Sequence, residues 1–296
     1  MPDLRAADLH APAVRAALEG LGLGRVEVLD EVGSTNQHLG DAVAARTPDG
    51  GPPWTDLSLV VTGHQSAGRG RLDRVWTTEP GTALTFSVLL RPADRHGRPV
   101  ADRHLPWLTL LMAEAVVEAL EDLAGAGARI KWPNDVLVDG RKIAGVLASL
   151  VPGPVPAIVL GTGINVAQEE LPVATATSLR RATGRDLARP DVLVAVLGAF
   201  VPVYRQFCAD PAAATGAGGP LRTRVAGRME TLGRPVRAEL PGGHGPLTGT
   251  AVGLGEHGGL LLRDRGDAEH EVTAGDVVHL RHAPGRAPGP GPAGTV

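Results

Sequence analysis

Apolar and polar positions change their spacing several times along the chain, and each change marks an element. The stretch "APAVRAALEGLGLG" has helical spacing and stops at glycines, which predicts a short helix. "RVEVLDEV" alternates and predicts a strand. "STNQHLGDAVAA" predicts a helix with Ser34 as its N-cap. "LSLVVTGHQ" and "TALTFSVLLRP" are apolar runs of strand length, and an arginine-rich loop lies between them. "LPWLTLLMAEAVVEALEDLAG" returns to helical spacing and ends at glycine. "ARIKWPNDVLVDGRKIAGVLASL" predicts a strand, a Pro-Asn turn and a hairpin whose turn is Asp139-Gly140, a pair suited to type I′ geometry. "VPAIVLGTGINV" predicts another strand, and "RPDVLVAVLGAFVPVYRQFCA" a helix kinked or broken at Pro202.

Around "DPAAATGAGGP", residues 210–220, the chain is linker-like. Beyond it, short alternating runs are separated by glycines, which predicts a small β-barrel. The tail "HAPGRAPGPGPAGTV" has nothing to bury and is expected to be disordered. Strands and helices do not alternate regularly. The expected class is therefore α+β, with a mixed, largely antiparallel sheet and flanking helices, rather than a doubly wound parallel sheet. The expected division is 1–222 for the main domain, 223–282 for the small β-domain and 283–296 for the tail.

Composition narrows the function classes. With 296 residues, 43% of them hydrophobic, the chain has ample material for a core and a second unit. The net charge of -3 does not suit a general nucleic-acid binder. The single cysteine excludes an intramolecular disulfide framework and a cysteine zinc cluster. The N-terminal residues lack the apolar core of a signal peptide, and no run of about 18 apolar residues occurs. A soluble, cytoplasmic protein with no membrane partner is the expectation.

Candidate chemistry lies in a few short stretches. "GHQSAGRGRLDRVW" crowds Arg69, Arg71 and Arg74 between glycines. It lacks the Gly-Lys-Ser/Thr ending and the helix that a P-loop needs, so its cations are side chains suited to phosphate or carboxylate. A solvated surface loop and an RNA-binding Arg-Gly segment are the competing readings. "KWPND" gathers Lys131, Asn134 and Asp135 at a turn, a set able to hold a triphosphate and its magnesium, or simply an ordinary turn. "RKIAGVL" places Lys142 just past the hairpin turn, with Ala144 and Gly145 small enough for a close approach. "GTGIN" is no dinucleotide fingerprint, because no third glycine or opening helix follows. "GSTN" puts hydroxyls at a helix start, where they cap the helix or bind a polar ligand head. The histidines show no metal-ligand spacing.

Taken in order, "STN", "QSAGRGRLDRVW", "KWPNDVLV", "KIAGVL" and "GTGINV", followed by a β-domain ending "AGDVVHLR", resemble the biotin protein ligases over roughly residues 25–282. The resemblance implies a class II synthetase-like fold with a C-terminal SH3-like domain. It implies ATP-dependent conversion of biotin to biotinyl-5′-AMP with Mg2+, then transfer to one lysine of a biotin carboxyl carrier domain. Ser34, Thr35, Asn36, Gln65, Gly68, Arg69, Lys142 and Gly145 match biotin-binding positions. Arg71, Arg74, Trp76, Lys131, Asn134, Asp135, Gly163 and Asn165 match adenylate or ATP positions. Arg69 and Lys142 match the catalytic cations, and Asp135 is a metal ligand candidate.

Two departures stand out: Asp73 where a glycine is common, and Thr162 where an aliphatic residue is usual. About 25 residues precede the first core strand, too few for a helix-turn-helix, so the resemblance is to the monofunctional type without DNA binding. A weak homodimer is left open. A lipoate or octanoate ligase, and a biotinyl-adenylate-binding protein without transfer, are the alternatives.

Overall fold

In the computed structural model of the chain, residues 9–45, 53–72, 74–153, 157–240, 245–273 and 276–279 are described. The elements begin with α1 (Ala11–Ala17), β1 (Val26–Val32), α2 (Thr35–Ala45), β2 (Ser58–Gln65), β3 (Gly68–Arg69), β4 (Val75–Trp76) and β5 (Ala83–Leu90). They continue with α3 (Trp107–Ala124), β6 (Arg129–Lys131), β7 (Asp135–Val138), β8 (Arg141–Val151) and β9 (Ala157–Asn165). Next come α4 (Leu179–Thr183), α5 (Arg189–Ala209), α6 (Pro211–Thr215) and α7 (Pro220–Gly227). The chain closes with β10 (Pro235–Glu239), β11 (Leu247–Leu254), β12 (Leu260–Arg263), β13 (Glu269–Val272) and β14 (Asp276–His279).

A seven-stranded sheet in the order β1-β2-β5-β9-β8-β7-β6 forms the main domain. Only its β1–β2 pair is parallel; the other pairs are antiparallel, as the irregular alternation of elements predicts. The β7–β8 hairpin turns at Asp139 and Gly140, whose φ values of 49° and 71° are those of a type I′ turn.

Alternation along the central strands sends one set of side chains to each face. Leu84, Phe86 and Val88 of β5 and Ile158, Leu160 and Ile164 of β9 pack in the main core with α3 and α5. On the opposite face Leu89, Val159 and Val60 pack under Leu39 of α2. Each fully buried side chain of this size contributes about 1.5–3 kcal/mol. The α2 face covers only part of the sheet, and the open remainder becomes the site.

Two expectations change. Pro202 neither breaks nor ends α5, which runs unbroken from Arg189 to Ala209. A proline inside a helix costs about 3 kcal/mol; burial of Val192, Leu193, Val196, Leu197, Phe200 and Phe207 outweighs it. By length and hydropathy α5 could also cross a membrane, yet its apolar side is packed on α3. The linker-like 210–220 segment is structured. Asp210 caps α6 by accepting from Ala213 N at 3.0 Å, and prolines start both α6 and α7.

The small domain is a five-stranded antiparallel sheet in the order β13-β12-β11-β10-β14. It is fastened to the main domain. The Trp107 indole donates to Glu256 O at 2.8 Å and that of Trp132 to Gly258 O at 3.0 Å. Ile130 of β6 also pairs with Met229. Helix α7 holds to α3 through Arg224, which meets buried Glu114 at 2.6 Å and also Glu118. Burial pushes the Glu114 carboxyl up, while Arg224 and Arg228 hold it down. The tail expected to be disordered lies outside the described residues.

Candidate active site

A cleft of about 1370 Å³ opens on the sheet face beside α2. It is larger than the pockets that hold one drug-sized ligand. Its lining gathers Ser34, Thr35, Asn36, Gln65, Arg69, Arg71, Arg74, Trp76, Lys131, Asn134, Asp135, Lys142, Gly145, Gly163 and Asn165, residues far apart in sequence. Gly68 lies just behind, paired with Trp76 in the β3–β4 ribbon. Gly233, Arg234 and Pro235 show that the start of the small domain forms part of the wall.

At one end is a polar subsite. Ser34 caps α2, its Oγ accepting from Gln37 N at 3.4 Å, so its own proton remains available. Gln65 Oε1 accepts from Thr35 N at 2.8 Å, which fixes the amide orientation and leaves Nε2 without a partner among the described residues. Asn36 reaches across the sheet and donates to Leu147 O at 3.0 Å. This is sterically allowed only because residue 161 is glycine: a Cβ there would meet Asn36 Oδ1 at 2.2 Å. Asn36 is thus a structural wall of the subsite, with its amide engaged internally.

At the centre, Lys142 Nζ pairs with Asp135 Oδ1 at 2.6 Å and lies 5.8 Å from the Trp76 ring centroid. The close approach that Gly145 permits is that of Lys142 itself, whose Nζ would be 3.1 Å from an added Cβ. The Trp76 indole lies on Gly163, where a Cβ would come within 2.7 Å of the ring. The indole Nε1 is buried and has no partner among the described residues.

The arginine stretch forms the small β3–β4 ribbon at the mouth, with Leu72 at φ 54° and 68% exposed. Arg71 reaches Asn134 Oδ1 at 3.3 Å, while Asn134 Nδ2 donates to Val146 O at 2.9 Å. Arg69 is exposed beside the cleft. Asp73, the unusual loop residue, lies outside the described residues.

Asn165 has another task. Its Nδ2 donates to Thr177 O at 2.9 Å and its Oδ1 accepts from Gln168 Nε2 at 2.9 Å. It thereby holds the 166–178 strap, which brackets the Lys142 backbone through Lys142 N to Thr175 O and Thr177 N to Lys142 O, both 2.8 Å. The Thr162 side chain lies on the core face of β9, between its ladder partners Phe86 and Val146. Its hydroxyl is buried and has no partner among the described residues.

Sequence reading missed three contributors. Ser87 is fully buried under the polar subsite, 2.8 Å from Thr35 Oγ1. Buried Arg189 donates to Gly63 O at 2.9 Å and Ala83 O at 3.1 Å, joining the ends of β2 and β5. Trp132 links the "KWPND" turn to the small domain. A polar residue inside an apolar strand was the available signal for Ser87.

Comparison with known proteins agrees with this arrangement. Residues 30–165 match the biotin/lipoate A/B protein ligase family, and residues 231–280 match the biotin protein ligase C-terminal domain. The chain is 35% identical over 285 residues to the biotin–[acetyl-CoA-carboxylase] ligase of Mycobacterium tuberculosis, covering 92% of this chain and 96% of that one. It is 32% identical over 262 residues to the bifunctional ligase/repressor BirA of Bacillus subtilis, covering 86% of this chain and 74% of the relative. Among solved structures, the biotin protein ligase from Aquifex aeolicus in complex with biotin and ATP superposes with a TM-score of 0.70 at 28% identity, covering 86% of this chain and 99% of that one. On the shared order of motifs, the common fold and this similarity along nearly the whole length, the chain belongs to the biotin protein ligase family.

Proposed function

We infer that this chain joins biotin to ATP, giving biotinyl-5′-AMP and pyrophosphate, and then transfers the biotinyl group to a lysine of a biotin carboxyl carrier domain. The observation that carries this reading is one continuous cleft with an uncharged polar subsite at one end and cations at its centre and mouth. Ser34 and Gln65 Nε2 offer donors to a urea carbonyl, and Thr35 and Gln65 Oε1 offer acceptors to its N–H. A lipoyl dithiolane or a plain acyl chain has no groups to match them, which disfavours the sister activity.

In the first step the biotin carboxylate attacks the α-phosphate and pyrophosphate leaves. Two anions must approach each other, so fixed positive charge at the reacting atoms lowers the barrier. Lys142 stands on a strand and is braced by the strap; it leaves Asp135 to contact the carboxylate and α-phosphate. Arg69 adds charge from the mouth. The Trp76 indole, lying on Gly163, offers its face to the adenine ring. In the second step the acceptor amine attacks the carbonyl of the mixed anhydride and AMP leaves. The ribbon carrying Arg71 and Arg74 covers the intermediate and excludes water between the steps.

Asp135 would help to hold a magnesium ion bound with the triphosphate, and the ion would supply charge neutralisation there. Among the described residues no cluster of three His, Cys, Asp or Glu side chains is present. The carrier partner belongs to a biotin-dependent carboxylase. The test is mass spectrometry of a purified carrier domain incubated with this chain, biotin and ATP. Modification confined to one lysine is expected; adenylate formation with no transfer would make the chain a binding protein instead.

A further inference from the structure

Ser87 lies on β5, on the face that α2 covers, and is completely buried. Its Oγ is 2.6 Å from Asn36 Oδ1 and 2.8 Å from Thr35 Oγ1, and Thr35 Oγ1 is 3.0 Å from Gln65 Oε1. Four oxygens thus form a chain of three short contacts, Gln65–Thr35–Ser87–Asn36. The two ends are amide oxygens, which only accept. Neither amide can be turned over, because Gln65 Oε1 accepts from Thr35 N at 2.8 Å and Asn36 Nδ2 donates to Leu147 O at 3.0 Å. The two middle oxygens are hydroxyls with one proton each. Three contacts share two protons, a count that holds wherever the hydrogens are placed.

The shortest contact claims a proton first. At 2.6 Å Ser87 donates to Asn36, since two bare oxygens at that distance repel. Thr35, 2.8 Å from Ser87, then donates to Ser87. Nothing is left for the 3.0 Å contact, the longest of the three, so Thr35 Oγ1 and Gln65 Oε1 face each other lone pair to lone pair at the cleft wall.

We propose that Ser87 is a positioning residue that draws the Thr35 proton away from the cleft and makes Thr35 an acceptor toward the ligand. The subsite then selects a head group that brings an N–H to Thr35 Oγ1 and Gln65 Oε1. This rests on the biotin reading above: a cyclic urea brings that N–H, and it supplies the proton the chain lacks. A head group without N–H leaves two buried acceptors unpaired, the kind of mismatch that hydrogen-bonding sites reject strongly. Ser87 does this without touching the ligand.

The test uses biotin and its cyclic carbamate analogues, in which one ureido N–H or the other is replaced by oxygen at nearly constant size. Titration calorimetry gives the preference of wild-type protein for biotin over the more weakly bound analogue. In Ser87→Ala one contact and one proton remain, so Thr35 is free to turn its proton toward the analogue's oxygen. In Asn36→Ala two contacts share two protons, and the deficit disappears from the other end. Both variants should bind biotin more weakly, with the preference reduced by about tenfold, the scale of one lost hydrogen bond. Ser87→Cys, which keeps a weak donor, should fall between Ser87→Ala and wild type. The KM for ATP should stay unchanged, which a merely loosened α2 would not allow. Failure of the wild type to bind biotin would overturn the functional reading. Biotin bound by every protein with one unchanged preference would overturn the Ser87 inference alone.

Discussion

Removing the Lys142 ammonium by Lys142→Ala should slow adenylate formation far more than it weakens either substrate. Nζ now lies 2.6 Å from Asp135 Oδ1. In the proposed reaction it would exchange that partner for the carboxylate and α-phosphate. An anion in contact at about 2.8 Å interacts by roughly 3–6 kcal/mol at an effective dielectric constant of about 20–40. Giving up Asp135 offsets part of this and leaves about 2–4 kcal/mol of transition-state stabilisation, the range found for single electrostatic contacts. The variant also leaves the Asp135 carboxylate without its cation beside the incoming anions, which pushes the loss toward the upper end. The expected effect is a rate of the first step lowered by about 30- to 1000-fold. Single-turnover assays with labelled ATP, following bound adenylate, free adenylate and modified acceptor separately, read this directly. An unchanged first step in Lys142→Ala, or a loss confined to transfer, would refute the role.

Arg71→Ala should act differently: the first step continues, but free adenylate appears in solution because the ribbon no longer closes, and equal release from wild type and variant would exclude the lid role. Thr162→Val should stabilise the protein by about 1–3 kcal/mol, because it removes a buried hydroxyl that has no partner among the described residues. That is a rise in Tm of about 2–4 °C per kcal/mol, and a lower Tm would show that the hydroxyl is satisfied in solution. His104, buried at the junction with its ring 5.2 Å from that of His257, should make the junction acid-sensitive. Burial, helped by Arg103 and His257 and opposed by Glu256, holds its imidazole below the ordinary value of 6.5. The neutral ring therefore contributes stability in full above pH 6.5, and this is lost as pH falls through the lowered value. Thermal unfolding between about pH 7 and 5 should show a smaller acid loss in His104→Phe than in wild type; equal losses would remove His104 as the cause.

Local signals carried much of the architecture. Uninterrupted apolar runs marked the central strands, Asp139-Gly140 marked its hairpin, and Ser34 marked the start of α2. The order of short motifs carried most of the cleft. What stayed hidden depends on register between distant segments. Ser87 is one hydroxyl in an apolar strand until the fold places it against Thr35 and Asn36. Asn165 reads as the end of a glycine-rich motif, yet its amide is spent fastening the strap that braces Lys142. Gly161 and Gly163 look alike in "GTGIN", and only the structure shows that one admits Asn36 and the other Trp76. A break at Pro202 and a linker at 210–220 were the wrong expectations for a related reason: local propensity worth a few kcal/mol yields to tertiary burial.

Biotin activation itself is tested most directly by pyrophosphate exchange into ATP, with biotin, lipoate and octanoate compared side by side. Exchange that requires magnesium, is driven by biotin and is absent with lipoate and octanoate is the predicted result. Exchange driven equally well by lipoate would contradict the account, because a subsite short of a proton has nothing to gain from a dithiolane.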